Sequence, residues 1–202
     1  MHRPSLRWAS VPSITVAALM VSLASPSPSL AEGRRPTIQD VKAIVQRHLT
    51  SNPSYRRGDL VTREDVEPIF NDLLTLGIKP FDQQEELYDS FVPADSLLVQ
   101  VLRTPQGRAF MRKASLFPGA YDRLERLAWI PQGQALLQQM IASPNGAEQF
   151  QRLNSPEGLQ LMAKQLGDDP RGRNFSLPTG HIHTEDQLLT RLQAISAKQG
   201  IR

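Results

Sequence analysis

Two histidines near the C-terminus are the side chains in this sequence best suited to chemistry. His181 and His183 are separated by one residue and are followed closely by Glu185 and Asp186. In an extended segment, residues two apart face the same side, so both imidazoles can reach one ion. Imidazole and carboxylate groups bind zinc and other divalent metals, and a bound metal can activate water. The spacing therefore predicts, as one alternative, a metal-dependent hydrolase with ligands from His181, His183 and Glu185.

The same residues have simpler interpretations. Asp168 or Asp169 would have to complete the metal shell, and the sequence contains no second group with ligand spacing. Glu185 also suits the first turn of a helix, where a carboxylate is favourable. The two histidines can instead be packed or solvated loop residues, or can form a pH-responsive contact. We favour the packed or solvated loop, which needs no cofactor; a divalent metal such as zinc belongs only to the alternative.

Positive charge is concentrated between residues 103 and 126, where six basic residues face only two acidic ones. The candidate anion-binding residues in this stretch are Arg108, Arg112, Arg123 and Arg126. Arg108 and Arg112 are four apart and therefore share one face of a helix. Guanidinium groups bind phosphate and carboxylate well, so this face is a possible site for an anion or an acidic glycan. A solvated helix face, with Asp122 and Arg126 paired within the helix, explains the same residues.

Common catalytic motifs are missing from the sequence. It contains no Gly-x-Ser-x-Gly turn, no Walker-type phosphate loop and no dinucleotide fingerprint. The triplet Arg57-Gly58-Asp59 matches a known cell-adhesion motif, but three residues recur too easily by chance to indicate a function. We therefore expect no catalytic residue and lean toward a protein that acts by binding.

The arginines lie in a stretch where proline recurs at nearly fixed intervals. Intervals of 13, 13, 13 and 12 residues separate Pro105, Pro118, Pro131, Pro144 and Pro156. Proline suits the first position of a helix, because its φ is already helical and its missing N–H would have no partner there. Apolar residues lie between the prolines at helical spacing. The pattern predicts five short Pro-initiated helices, in helix-turn units of ~13 residues over residues 104–167.

A glycine follows four of these prolines two positions later, and the pairing has two explanations. A type I turn with proline in second place and glycine in fourth place accounts for it. Close approach of a neighbouring helix or ligand to the bare backbone also accounts for it. Glycine in a first helical turn costs about 1 kcal/mol relative to alanine, so its recurrence needs a reason. We favour the turn.

Helix signals continue on both sides of this stretch. Thr37-Ile38-Gln39-Asp40 resembles a capping box, and Thr184-Glu185-Asp186-Gln187 caps a C-terminal helix. Strand signals are limited to a three-residue alternation at 181–183. The predicted fold is all-α, a compact array of about ten short amphipathic helices. The predicted single domain, 37–202, comprises N-terminal helices over 37–103, the Pro-punctuated array over 104–167, a loop over 168–183 and a C-terminal helix over 184–198.

The first thirty-one residues have the features of a secretory signal peptide. Arg3 and Arg7 precede a short apolar run at 11–23, and Ser29 and Ala31 suit a signal-peptidase site. We expect residues 1–31 to be removed and residues 32–36 to form a polar tether. The expected location of the soluble product is the periplasm or the extracellular space, with no membrane-spanning segment after cleavage. The chain has no cysteine, so no disulfide can stabilise it.

Charge balance limits the class of partner. Cleavage removes two arginines and no acidic residue, so the net charge falls from +3 to +1. This near-neutral balance gives no reason to expect nucleic acid. We expect a protein or peptide partner, or an anionic polymer of the envelope. The sequence thus predicts an exported, non-catalytic helical binding or scaffold protein, with the metal-dependent hydrolase and the anion- or glycan-binding module as alternatives.

Overall fold

The chain folds as predicted into an all-α structure, seen in a computed structural model that describes residues 34–82, 84–166 and 175–202. The predicted signal peptide, together with Asp168 and Asp169, lies outside these residues. None of the described helices is both long and apolar enough to cross a membrane. The helices are α1 (Ile38–Ser51), α2 (Arg63–Thr75), α3 (Gln84–Asp89), α4 (Leu97–Leu102), α5 (Pro105–Ala114), α6 (Ala120–Trp129), α7 (Pro131–Ala142), α8 (Gly146–Leu153), α9 (Pro156–Leu166) and α10 (Glu185–Lys198).

Capping boxes begin the first and the last of these helices, as the sequence predicts. At α1, the Asp40 carboxylate accepts the N–H of Thr37 at 2.7 Å, and the Thr37 hydroxyl accepts the N–H of Asp40 at 3.4 Å. At α10, Thr184 and Gln187 form the same reciprocal pair. Each box satisfies donors of the first turn that have no partner within the helix, which fixes where these helices start.

The stretch from Pro105 to Leu166 forms five short helices, α5–α9, which we call the array. Helices α5, α7 and α9 begin at their prolines. The prediction that a proline opens every helix is wrong for α6 and α8, which begin two residues after Pro118 and Pro144. At α6, Gly119 follows Pro118 with φ +70°, a left-handed conformation outside the helical region, so the helix begins only at Ala120.

Close approach between consecutive helices accounts for the four glycines of the array that follow a proline by two positions, so this explanation replaces the turn interpretation. A methyl group on any of them would lie no more than 2.5 Å from a carbonyl oxygen of the preceding helix. In every case that carbonyl belongs to the residue six positions earlier. The pairs are Gly107 with Val101, Gly133 with Leu127, Gly146 with Met140, and Gly158 with Arg152. We call these contacts glycine junctions.

Two clusters of buried apolar side chains form the interior. The array and α4 surround one cluster, which includes Phe110, Leu124, Leu137, Met140 and Phe150. Helices α1, α2 and α10, which we call the terminal bundle, surround the other, which includes Val45, Ile69, Phe91, Ile182 and Leu188. Both clusters lie within one unit that spans residues 35–202.

A short extended segment at 181–183 lies between the two clusters. The N–H of Ile182 donates to the carbonyl of Ser90 at 2.7 Å, and the N–H of Val61 donates to the carbonyl of His183 at 2.8 Å. The Ile182 side chain enters the cluster of the terminal bundle. Because successive side chains of an extended segment alternate, His181 and His183 lie on the opposite side, where α6 runs.

Candidate functional site

The two histidines converge on Glu125 of α6, whose side chain is fully buried. Nδ1 of His181 lies 2.6 Å from one carboxylate oxygen, and Nε2 of His183 lies 2.8 Å from the other. Burial raises the pKa of Glu125, but hydrogen bonds from His181, His183 and Thr179 outweigh it and lower this pKa to about 2. Glu125 is therefore ionised and can only accept hydrogen bonds. It follows that Nδ1 of His181 and Nε2 of His183 both carry protons.

Other side chains of α6 hold the segment that carries the histidines. The ring of Tyr121 stacks on His183, with 5.6 Å between ring centroids and 12° between planes. Asp122 accepts hydrogen bonds from the N–H of Thr179 at 3.0 Å and from its hydroxyl at 3.1 Å. Arg126 donates to the carbonyls of Leu177 and Pro178 at 2.9 and 2.8 Å. The predicted pair between Asp122 and Arg126 is wrong, because both side chains bind residues 177–179 instead.

The predicted metal ligands are only partly brought together. His181 and His183 share Glu125, whereas the carboxylate of Glu185 accepts a hydrogen bond from the Tyr55 hydroxyl at 3.4 Å. Within residues 34–82, 84–166 and 175–202, no group of three or more histidine, cysteine or acidic side chains is arranged to hold a metal ion. The observed partner of the two histidines is thus a carboxylate that the sequence interpretation did not include.

The four arginines proposed as an anion-binding face do not form one continuous surface. Arg126 is buried with 7% of its surface exposed, whereas Arg108, Arg112 and Arg123 are half-buried. Arg108 donates to the carbonyl of Leu102 at 2.8 Å. Arg123 donates to the carbonyl of Pro118 and to the side chain of Asn154. These guanidinium groups are internal donors, so the solvated-face interpretation also fails for Arg126.

Arg112 lines a cavity. Its guanidinium binds both carboxylate oxygens of Asp59, with contacts of 2.9 and 2.8 Å, and also donates to the carbonyl of Ser54 at 2.7 Å. The Asp59 side chain is consequently only 14% exposed. The Arg57-Gly58-Asp59 triplet therefore does not present a free aspartate, and the adhesion motif gains no support.

A cleft of about 400 Å³ opens beside this ion pair, at the beginning of α6, and we call it the α6 cleft. Its walls come from the loop after α1, from the turn between α5 and α6, and from the beginning of α10. The lining residues are 56–59, 112, 115–117, 119–122, 183, 184 and 187. His183, whose Nε2 contacts Glu125, is thus one of the residues that line the cleft.

Charged groups of both signs line the α6 cleft. Arg57 pairs with Asp186 at 3.0 Å outside the cleft lining, and Arg112 pairs with Asp59. Arg56 donates through Nη1 only to backbone carbonyls, and no acidic side chain of the described residues pairs with it. With Asp122, the lining contains three arginines and two aspartates. The cleft is therefore mildly positive, and Arg56 is its least compensated charge.

Two groups among the residues that line the cleft are available for further hydrogen bonds. Helix α6 begins after Gly119, and no side chain caps its first turn. Nδ1 of His183 is buried without a hydrogen-bond partner; the nearest charged group, Oδ1 of Asp122, lies 4.0 Å away. The beginning of α6 and an unpartnered ring nitrogen of His183 thus belong to residues that line the same cleft.

Glu125 is the central residue that the sequence interpretation missed, although a signal existed. On α6 it occupies the same helical stripe as Tyr121, Leu124 and Ala128, all of which are buried. An acidic residue on an apolar stripe requires a buried partner, and histidine is the usual candidate in a chain with few buried bases. Comparisons of the chain with protein-family models, with curated proteins and with solved structures gave no match. Functional inference therefore depends on the geometry described above.

Proposed function

We propose that the protein is an exported helical binding or scaffold protein whose binding site is the α6 cleft. The supporting observation is the cleft itself, because about 400 Å³ falls within the range of small-ligand sites. Its lining combines the apolar side chains of Leu116 and Phe117 with several polar and charged side chains. That combination is typical of sites that bind and orient a small molecule or the end of a partner chain.

Binding is favoured over catalysis by the hydrogen bonds around the histidines. A mechanism with a hydroxyl or thiol nucleophile needs that group within hydrogen-bond reach of a base. In the described part of the chain, nothing is bonded to Nδ1 of His183. The hydroxyl of Thr184 caps α10, and that of Ser115 donates to the carbonyl of Arg112 at 3.4 Å. The Thr179 hydroxyl lies 3.5 Å from Nε2 of His183, but it donates its one proton to Asp122 at 3.1 Å. These three hydroxyl groups thus have structural partners other than a catalytic base.

The helices on either side of the turn between α5 and α6 are each packed closely against another helix. Glycine junctions join α5 to α4 and α6 to α7. Export is part of the proposal because the N-terminal sequence resembles a signal peptide. A protein or peptide, or an anionic envelope polymer, remains the expected partner, with the cleft as the place of contact.

Binding at the cleft can be tested by NMR on the 15N-labelled chain 32–202. The probes are N-acetylglucosamine, glucuronate, inorganic phosphate and N-acetylphenylalanine amide. We expect at least one probe to shift amide resonances of residues 119–122 and 183–184. The variant Ser115→Trp, which fills the cleft, should lose these shifts, while the matched variant Lys113→Trp on the exposed side of α5 should keep them. Shifts confined to other surfaces, or none with any probe, would contradict the proposal.

Export is tested separately. The chain recovered from the periplasm or the medium should begin at Glu32, as determined by N-terminal sequencing and intact mass. Recovery of the uncleaved chain only from the cytoplasm would remove export from the proposal. That result would leave the binding role of the cleft unaffected.

A further inference from the structure

We propose that the ligand of the α6 cleft is an acidic sugar of the uronic acid type, a hydroxylated ring that carries one carboxylate. This inference rests on the proposed function of the cleft and assigns its ligand class. Three features support it: the uncapped beginning of α6, the unpartnered Nδ1 of His183, and the mixture of charges in the lining.

The beginning of α6 provides the place for the carboxylate. The N–H of Ala120 donates to the carbonyl of Phe117 at 3.0 Å. The N–H groups of Tyr121 and Asp122, the next two positions of the first turn, have no acceptor within the helix, and Gly119 offers no side chain to cap them. The helix dipole adds partial positive charge at the same point. Arg56, which pairs with no described acidic side chain, lines the same cleft and adds a full positive charge. Backbone donors and a guanidinium together favour one negatively charged group.

His183 provides the independent evidence for a hydroxyl group. Its side chain is 1% exposed, it lines the cleft, and its Nδ1 has no hydrogen-bond partner. Buried polar atoms are normally satisfied, so an unpartnered nitrogen of a residue that lines a cleft indicates a partner supplied from inside the cleft. A ligand hydroxyl both donates and accepts, so it can pair with Nδ1 whether or not this nitrogen carries a proton.

The charges of the lining disfavour a compact anion. Asp122 and Asp59 line the same cleft as the arginines, and Oδ1 of Asp122 lies 4.0 Å from Nδ1 of His183. These carboxylates repel a multiply charged ion such as phosphate, but they accept hydrogen bonds from hydroxyl groups. A sugar ring with one carboxylate and several hydroxyls matches both the donors and the acceptors. The half-buried ring of Phe117 offers an apolar surface for the C–H groups of the sugar.

The experiment compares glucuronate with its neutral amide, glucuronamide, and with acetate, using NMR titration of chain 32–202. We expect the Kd of glucuronate to be at least tenfold lower than the Kd of either comparison ligand. The Arg56→Gln variant should weaken glucuronate about fivefold and leave glucuronamide unchanged. Lys113→Gln, an exposed change outside the cleft, is the matched control and should have no effect. Because Arg56 is exposed, its replacement leaves the fold intact.

The His183→Phe variant tests the hydroxyl contact. We expect it to weaken glucuronate and glucuronamide to a similar extent, about tenfold, with acetate unchanged; circular dichroism confirms that the variant folds. Should it unfold, the Arg56→Gln arm still decides. Equal affinities for glucuronate and glucuronamide, or no effect of Arg56→Gln, would overturn the inference. If N-acetylglucosamine binds in the cleft as tightly as glucuronate, the inference of an acidic sugar is overturned while the proposed binding function stands. If no probe shifts the amide resonances of the cleft, both the inference and the proposed function are contradicted.

Discussion

The array and the terminal bundle are assembled in opposite ways. In the array, each glycine junction joins residues six positions apart, so consecutive helices meet through backbone contacts fixed by local sequence. The terminal bundle joins the two ends of the described chain, with α10 against α1 and the N–H of Ile38 donating to the carbonyl of Arg202 at 3.4 Å. Contacts between residues close in sequence hold the array together, whereas contacts between residues far apart in sequence hold the terminal bundle together.

The two regions also differ in the kind of interaction that holds them together. The helices of the array are held by close steric fit, because the glycine junctions have no space for even one methyl group. The segment next to the terminal bundle is held by polar contacts from α6, above all the two histidines on Glu125. Helix α6 belongs to the array and also binds residues 177–183. The α6 cleft lies where these two modes of assembly meet, which places the candidate site at the junction of local and long-range structure.

Glycine junctions should be the most sensitive points of the molecule. Among the four, a methyl group at Gly146 would come closest to the backbone, at the carbonyl of Met140. Because a backbone carbonyl cannot rotate away as a side chain can, Gly146→Ala should reduce the free energy of unfolding by about 3 kcal/mol. The measurement is urea denaturation followed by circular dichroism. Gln149→Ala, on the exposed side of the same helix, is the control and should leave stability nearly unchanged.

A neutral or stabilising effect of Gly146→Ala would contradict the steric account of the array. Alanine has the higher helix propensity, so propensity alone predicts a gain in stability. A loss of stability therefore supports the steric account and a gain supports helix propensity, whatever the size of the change.

Removal of the carboxylate at Glu125 should have the next largest effect. In Glu125→Gln one oxygen remains an acceptor, but the amide nitrogen faces a histidine that can no longer donate to it. We expect a loss of about 2 kcal/mol in the free energy of unfolding, the cost of an unsatisfied buried polar contact. Glu148→Gln, at an exposed position of α8, is the control. A change at Glu125 no larger than in this control would show that the histidines do not depend on the carboxylate.

Acid should weaken the same contact in the native protein. The pKa of Glu125 is lowered from 4.5 to about 2 in the folded state, so its stabilising contribution is complete above pH 4.5. This contribution decreases as pH falls from 4.5 toward 2, because the unfolded chain then binds the proton more readily. By pH 3.5 the loss should be about 1 kcal/mol. Urea denaturation of the wild type and of Glu125→Gln at pH 6 and pH 3.5 measures this loss. Equal losses of stability in the two proteins would exclude Glu125 as the cause of the pH dependence.

The same contrast explains what the sequence could and could not predict. Proline spacing and the capping residue Thr37 act over a few positions, so helix existence and several helix starts were predictable. The cause of the glycines was not, since a tight turn and a close helix contact place glycine at the same position. The partner of the histidines was also not predictable from spacing, because Glu125 precedes His181 by 56 positions. The role of Arg126 was not predictable because its partners are backbone carbonyls, which are present at every residue and leave no pattern in the sequence.

The smallest expected effect concerns the ion pair that joins the array to the loop after α1. Arg112 holds Asp59 with two contacts, but its side chain is 39% exposed, so water and salt weaken the attraction. A double-mutant cycle of Arg112→Ala and Asp59→Ala should give a coupling energy of about 0.5 kcal/mol. The exposed pair of Arg57 and Asp186 is the matched comparison, and the same cycle there should give no measurable coupling. If the Arg112 pair also shows no measurable coupling energy, the loop after α1 is held by Tyr121 instead, because its hydroxyl donates to the carbonyl of Gly58 at 2.8 Å. The polar contacts between the array and the terminal bundle then come entirely from α6.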